Sequence, residues 1–176
     1  MFAAFRHKDL REGFEVVFIA GRSFAGHTAA VEDGEPFAVR YVIELDDRWH
    51  TRTAQIWGES RTGTRSVRLD SDGDGHWLLD GRPAPELDGI LDVDLESSAL
   101  TNAFPVRRLA LSPGEAADAP AAWVRALDLG VERLEQRYAC TGENRYDYWS
   151  PDLSCELVYD EDGLVREYPG IAARVR

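Results

Sequence analysis

The sequence predicts a mainly β, antiparallel protein with one short helix near its middle, on three observations. Apolar and polar residues alternate through about a dozen short segments, the period that puts every second side chain on one sheet face. Gly, Pro, Asp or Asn separate those segments. Six Asp-Gly pairs stand among them, at 33–34, 72–73, 74–75, 80–81, 88–89 and 162–163, a dipeptide suited to turns with positive φ. One stretch, Ser97 to Phe104, instead spaces Leu100, Ala103 and Phe104 as a helix does.

Taken in chain order, the first strand signal is Phe14–Ala20, followed by Gly21-Arg22-Ser23-Phe24-Ala25. That pentapeptide approximates the nucleophile elbow of hydrolases, which needs a strand, a sharp turn and a helix. Gly26, Gly34 and Pro36 leave no room for the helix, and no histidine follows His76, so the segment reads as a hairpin turn. Phe37, Val39, Tyr41, Ile43 and Leu45 then share one strand face. Asp70-Ser71-Asp72-Gly73-Asp74-Gly75 copies the first half of a calcium loop, but Gly81 stands where the bidentate glutamate belongs. It reads as an acidic hairpin turn between Arg65–Leu69 and His76–Leu79, and no metal is expected.

Leu91, Val93 and Leu95 alternate with Asp92, Asp94 and Glu96. The helical stretch follows, with Ser97 or Ser98 as caps and Pro105 ending or kinking it. A second reading has Thr101 or Asn102 capping a helix that carries Pro105 in its first turn and runs through Leu109. Residues 112–120 read as a loop by composition. Leu153, Cys155, Leu157 and Tyr159 restore the alternation. No repeat of fixed period appears.

Composition bounds the function. At 176 residues and 44% hydrophobic, the chain is expected to form one domain, 1–176, with a sizeable core. A net charge of −12 disfavours nucleic acid and non-specific binding to anionic membranes. Lys8 is the only lysine among the basic residues, and the arginines form no phosphate-binding stripe. No apolar run approaches the roughly 20 residues of a spanning helix, and the amino terminus lacks a secretory pattern, so the expected location is cytoplasmic. Cys140 and Cys155 are then expected to be reduced and to pack as small hydrophobes. His7, His27, His50 and His76 form no local ligand pair. No cofactor is expected.

Asp92 and Asp94 point to the same side of one strand. Paired carboxylates raise one another's pKa and suit acid–base chemistry; they equally suit a solvated edge or a helix cap. Arg107 and Arg108 offer guanidinium forks for a carboxylate, phosphate or sulfate group, or an ion pair with Asp92 or Asp94.

The run from Leu91-Asp92-Val93-Asp94-Leu95 through Thr101-Asn102-Ala103-Phe104-Pro105-Val106-Arg107-Arg108-Leu109 resembles the bacterial family named "Putative glycolipid-binding", formerly a domain of unknown function. Gly75-His76-Trp77 with Asp80-Gly81, Gln136-Arg137-Tyr138, Val158 to Val165 and Tyr168-Pro169-Gly170 match as well, as do Tyr41-Val42-Ile43 with Asp46, Asp47 and Trp49. Ala99 stands where the family often has proline. The resemblance implies a spiral β-roll, a long antiparallel sheet wrapped around a single short α-helix, with Leu100, Ala103 and Phe104 facing the concave sheet. It also implies a remote likeness of the C-terminal half to periplasmic lipoprotein carriers.

Three function classes follow. One is a protein that binds a glycolipid or other lipid-like ligand in the concave sheet face, using Asp92, Asp94, Thr101, Asn102, Arg107, Arg108 and Tyr138 for a polar head and tryptophans for stacking. Another is a small enzyme working through Asp92 and Asp94, the less expected of the two. The third is a non-catalytic structural protein, pairing with a second copy as a homodimer. In that last case Thr101, Asn102 and the arginines satisfy buried groups at the helix ends.

Overall fold

Two antiparallel meanders, one from each end of the chain, join edge to edge into a single sheet. The structure is a computed structural model and describes residues 1–175. The N-terminal meander comprises β1 (Phe2–His7), β2 (Glu12–Ala20), β3 (Ser23–Glu32), β4 (Glu35–Leu45), β5 (Thr51–Ser60), β6 (Gly63–Ser71), β7 (Trp77–Leu79) and β8 (Arg82–Pro83). A central segment holds β9 (Asp92–Leu95), a 3-10 turn (Leu100–Asn102), α1 (Ala103–Leu109), β10 (Ala116–Asp118), β11 (Ala121–Val124) and β12 (Val131–Leu134). The C-terminal meander runs through β13 (Arg137–Gly142), β14 (Arg145–Ser150), β15 (Leu153–Tyr159), β16 (Val165–Tyr168) and β17 (Ala172–Arg174).

Pairing of β17 with β1, in the register Phe5–Arg174, Arg6–Ala173 and His7–Ala172, unites the meanders. The result is a 14-stranded sheet in the order β10-β13-β14-β15-β16-β17-β1-β2-β3-β4-β5-β6-β7-β8. It stays open. The central segment contributes a second, three-stranded sheet in the order β12-β11-β9. The expected mainly β roll with one short helix is the fold observed.

All six Asp-Gly glycines have positive φ. Only Asp33-Gly34 and Asp80-Gly81 place both residues there, the two-residue turn whose twist matches a tight hairpin. The pentapeptide at Gly21 is the β2–β3 hairpin, and the acidic hexapeptide links β6 to β7. Within that acidic turn, Asp72 Oδ1 accepts the Asp74 and His76 amides at 2.7 and 3.1 Å.

Three local expectations change. The 112–120 stretch contains β10, which pairs with β13. One pair of strands, β9 with β11, is parallel, because the chain crosses through α1 between them. The helix follows the second reading: Asn102 precedes it and Pro105 is its third residue, where the missing amide has no intrahelical partner to lose. Ser98 still acts as a cap, its Oγ accepting the Leu100 amide at 3.2 Å.

Phe37, Val39, Tyr41, Ile43 and Leu45 are buried as their alternation requires, and Leu100, Ala103, Phe104 and Val106 pack into the same core. The Phe24 and Phe104 rings lie 4.9 Å apart, tilted by 58°. In β2 the pattern is inverted. Glu15 and Val17 point into the core, while Phe14, Val16 and Phe18 face out.

At Gly26 the concave face has no room for a side chain. A Cβ there would lie 2.1 Å from Tyr41 Cζ, and the ring is fully buried. Gly26→Ala is expected to cost about 1–3 kcal/mol of stability through overpacking, read from urea unfolding midpoints at unchanged slope.

Candidate functional site

A ten-residue helical segment inside a sheet leaves its terminal amides and carbonyls away from water, so side chains must satisfy them. Glu15 supplies the first anchor. Its carboxylate accepts the Tyr41 hydroxyl at 2.6 Å, the Ala99 amide at 2.9 Å and the Ser98 hydroxyl. Asp94 supplies the second, accepting Thr101 Oγ1 at 2.6 Å and Gln136 Nε2 at 2.7 Å, one on each oxygen. Thr28 Oγ1 donates to the Ser97 carbonyl at 2.8 Å. Asn102 is held from the far meander: Tyr138 donates to its Oδ1 at 2.8 Å and Tyr159 to its carbonyl at 3.2 Å.

At the other end of α1, Arg108 grips Asp92 as a two-pronged fork, with Nη2 at 2.6 Å and Nε at 3.2 Å. The carboxylate is buried and the arginine nearly so. This is the ion pair that the sequence offered as one alternative. Burial pushes Asp92 and Asp94 above the ordinary carboxylate range; Arg108 pulls Asp92 back, and Thr101 and Gln136 do the same for Asp94. Arg107 takes a different course, its guanidinium lying 4.9 Å from the centre of the Trp49 ring.

Between the roll and the small sheet a cleft of about 430 Å³ remains open. Leu10, Leu95, Leu134, Leu153 and Ile171 form its apolar part, and Trp123, Tyr148 and Tyr168 its aromatic walls. Five carboxylates, those of Glu32, Asp94, Glu96, Glu132 and Asp152, face two guanidiniums, those of Arg11 and Arg133. Arg11 is already engaged, with Glu32 at 3.1 Å and the Glu96 carbonyl at 2.6 Å. The cleft is therefore net acidic. Tyr148 receives Gln136 Nε2 at 3.1 Å, and burial pushes its hydroxyl up to about 12, so it stays a neutral donor.

Of the seven residues singled out by sequence, Asp94 and Asn102 line this cleft. Asp92, Thr101, Arg108 and Tyr138 lie in the network that holds the helical segment, and Arg107 lies against Trp49. Asp92 and Asp94 do not share one opening, and both Asp94 oxygens are occupied by protein donors. Trp123, one of the tryptophans expected to stack on a ligand, also lines the cleft, whereas Glu15, Gln136, Tyr148 and Tyr168 were not among the residues given a site role by sequence. Glu15 carried a signal, a lone carboxylate alternating with Val17 in an apolar strand; the others are distant in sequence and meet only through the fold. Among the described residues no group of three His, Cys, Asp or Glu is placed to hold a metal ion, and no helix is long and apolar enough to cross a membrane.

The fold and cleft define an open β-roll plugged by its own helix, with an aromatic, carboxylate-rimmed cavity beside the plug. Residues 5–174 match the family model described as "Putative glycolipid-binding", and the chain belongs to that family. It is also similar to a DUF1089 family protein from Pseudomonas aeruginosa of known crystal structure, at 34% identity and a TM-score of 0.88, covering 93% of this chain and 92% of that one. No curated protein matches the chain.

Two outcomes follow from the anchors. Burial raises Glu15 from 4.5 to about 7, so its contribution is intact below pH 4.5 and is lost as pH rises toward 7, by about 3 kcal/mol. His7, buried near Arg11, is lowered from 6.5 to about 4 and acts with the opposite sign, destabilising as pH falls through that range. The two oppose each other in the native protein. Glu15→Gln imitates the protonated acid, so the stability of this variant relative to native is expected to rise from pH 4.5 to 7, read by urea unfolding at each pH. Arg108→Met leaves the Asp92 charge buried alone and is expected to cost about 3–5 kcal/mol, with Asp92→Asn recovering most of it in the double variant.

Proposed function

We propose that the protein binds a glycolipid-like ligand, a neutral, hydroxyl-rich head attached to an apolar chain, in the cleft beside the helix. The observation that carries this reading is the lining of that cleft. Aromatic rings and carboxylates together suit sugar rings, the rings by stacking and the carboxylates by accepting hydroxyl protons. Leu153, Leu134 and Ile171 provide an apolar wall for a chain. The volume falls within the range of small-molecule sites. An excess of carboxylates disfavours a phosphorylated or sulfated head.

Asp94 and Asn102 belong to the binding surface in this reading. Thr101, Tyr138, Asp92 and Arg108 position them, and Arg107 stands apart from the cleft. Asn102 Oδ1 is taken by Tyr138, which leaves its amide nitrogen as a donor toward the ligand. The family description points the same way. The chain acts as one domain, on the cytoplasmic side of the membrane that supplies the ligand. With both Asp94 oxygens engaged by the protein, binding is favoured over acid–base catalysis.

Native mass spectrometry of the full chain, incubated with a bacterial lipid extract, tests the proposal. A discrete adduct that dissociates into a sugar-bearing, acyl-bearing mass is expected. Leu153→Arg places a cation against the apolar wall and is expected to weaken the adduct by roughly tenfold or more, about 1.4 kcal/mol. An unliganded mass with every extract would overturn the reading.

A further inference from the structure

A tryptophan occupies a backbone position that suits glycine, and two unpaired arginines lie over its ring. Asp46 to Trp49 form the turn between β4 and β5, closed by the Trp49 amide on the Asp46 carbonyl at 3.0 Å. Trp49 takes a φ of 68° there, a left-handed conformation that a bulky side chain rarely adopts. Its indole is partly buried against the core, with its ring centre 6.3 Å from that of Phe24. The Arg22 guanidinium carbon lies 3.8 Å from the centre of the indole, and that of Arg107 4.9 Å. Three parts of the chain meet here. Arg22 stands in the β2–β3 turn, where its carbonyl accepts the Leu45 amide at 3.0 Å. Arg107 comes from α1. Gly163, in the turn before β16, lies so close that a Cβ on it would be 2.7 Å from Arg107 Nε.

Stacking on the indole favours each guanidinium, but it leaves their charges and donors unmet. Among the described residues no carboxylate oxygen lies within 4.0 Å of either guanidinium, and neither one donates a hydrogen bond to another residue. Arg22 Nε is buried without a partner, an orphaned donor of the kind that a bound ion accounts for. The nearby carboxylates are engaged elsewhere or turned to solvent. Glu44 accepts Ser23 Oγ at 2.6 Å, and Asp46 accepts the Arg48 and His50 amides, each at 2.9 Å. Asp47, Glu161 and Asp162 are exposed. A strained residue, an orphaned donor and two uncompensated like charges thus coincide, and strain of this kind gathers at ligand clamps. An oxyanion seated on the two guanidiniums neutralises both charges and gives Nε its acceptor.

We propose that Arg22 and Arg107, held over Trp49, bind a phosphate monoester. Guanidinium forks match the oxygens of a phosphate bidentately. A phosphate dianion balances two guanidiniums, where a carboxylate balances one. The indole holds both forks in advance, so less side-chain freedom is lost on binding. The net charge of −12 opposes an anion only weakly here, because at physiological salt charges beyond about 8 Å are largely screened. The site shares no residue with the cleft lining, and it does not require the cleft to bind anything.

Isothermal titration calorimetry of the full chain with inorganic phosphate and with glycerol 3-phosphate, at an ionic strength held constant with chloride, tests the site. Saturable binding is expected, weakened by roughly tenfold or more in Arg22→Gln/Arg107→Gln. Urea unfolding shows whether that double variant is folded; if it is not, Arg107→Gln, at an exposed position, carries the comparison. Vesicles containing phosphatidic acid, whose headgroup is a phosphate monoester, separate the two sources of such a group. Binding of glycerol 3-phosphate that the variant loses supports the site with a soluble ligand. Binding confined to the vesicles, and lost in the variant, supports it with a lipid headgroup. Leu153→Arg, which blocks the cleft, is expected to bind phosphate as the native chain does, so failure of either proposal is read separately. Absence of saturable binding with all three probes, or binding that the arginine variants leave intact, overturns the proposal.

Discussion

Burying a short helical segment against the concave side of a sheet commits the sheet to act as its solvent. Every polar group in residues 97–103 that turns away from water needs a partner, and an orphaned one costs about 1–3 kcal/mol. Glu15, Thr28, Asp94, Tyr138 and Tyr159 supply those partners from both meanders and from the small sheet. The demand explains residues that otherwise look misplaced. A glutamate sits inside the core because three donors converge on it, and Gly26 stands beneath Tyr41 because the tyrosine that reaches Glu15 needs the space of a side chain.

The same demand separates holding from binding. Asp92 is consumed by Arg108 and Thr101 by Asp94, so these motif residues have little left to offer a ligand. What faces the cleft is a second set, the tyrosine hydroxyls, the Asn102 amide and the rim carboxylates, positioned by the first. Asp94 belongs to both sets: its oxygens hold Thr101 and Gln136 while its flank forms part of the cleft wall. A change at Asp94 therefore alters the plug and the cavity together.

The meander strands were legible because a period of two and Asp-Gly turns are local signals. Phe37 through Leu45 needed nothing beyond its own alternation. The helix was legible through Leu100, Ala103 and Phe104, and its start depended on where Pro105 is tolerated, which two caps answered differently. Strand β10 was hidden in a Gly-, Pro- and Ala-rich stretch, since three residues that pair at an edge need little hydrophobic pattern of their own. The face of β2 was not legible at all. Its larger apolar residues point outward, and only pairing with β3 and the donors around Glu15 fix the opposite choice. For the site, the spacing of Asp92 and Asp94 showed a shared strand but not their different partners. Gln136, Tyr148 and Trp123 reach the cleft through long-range pairing that no local pattern encodes.

The seam between β1 and β17 imposes an order on biosynthesis. Strand β1 leaves the ribosome long before its partner β17. The N-terminal meander can form its hairpins early, since each needs only its neighbour in sequence. One side of β1 stays open until β17 has been made, with unpaired amides and carbonyls beside the exposed phenylalanines of β2, a template for pairing with another nascent chain. The closing strand is thus also the step that retires the most aggregation-prone edge of the molecule.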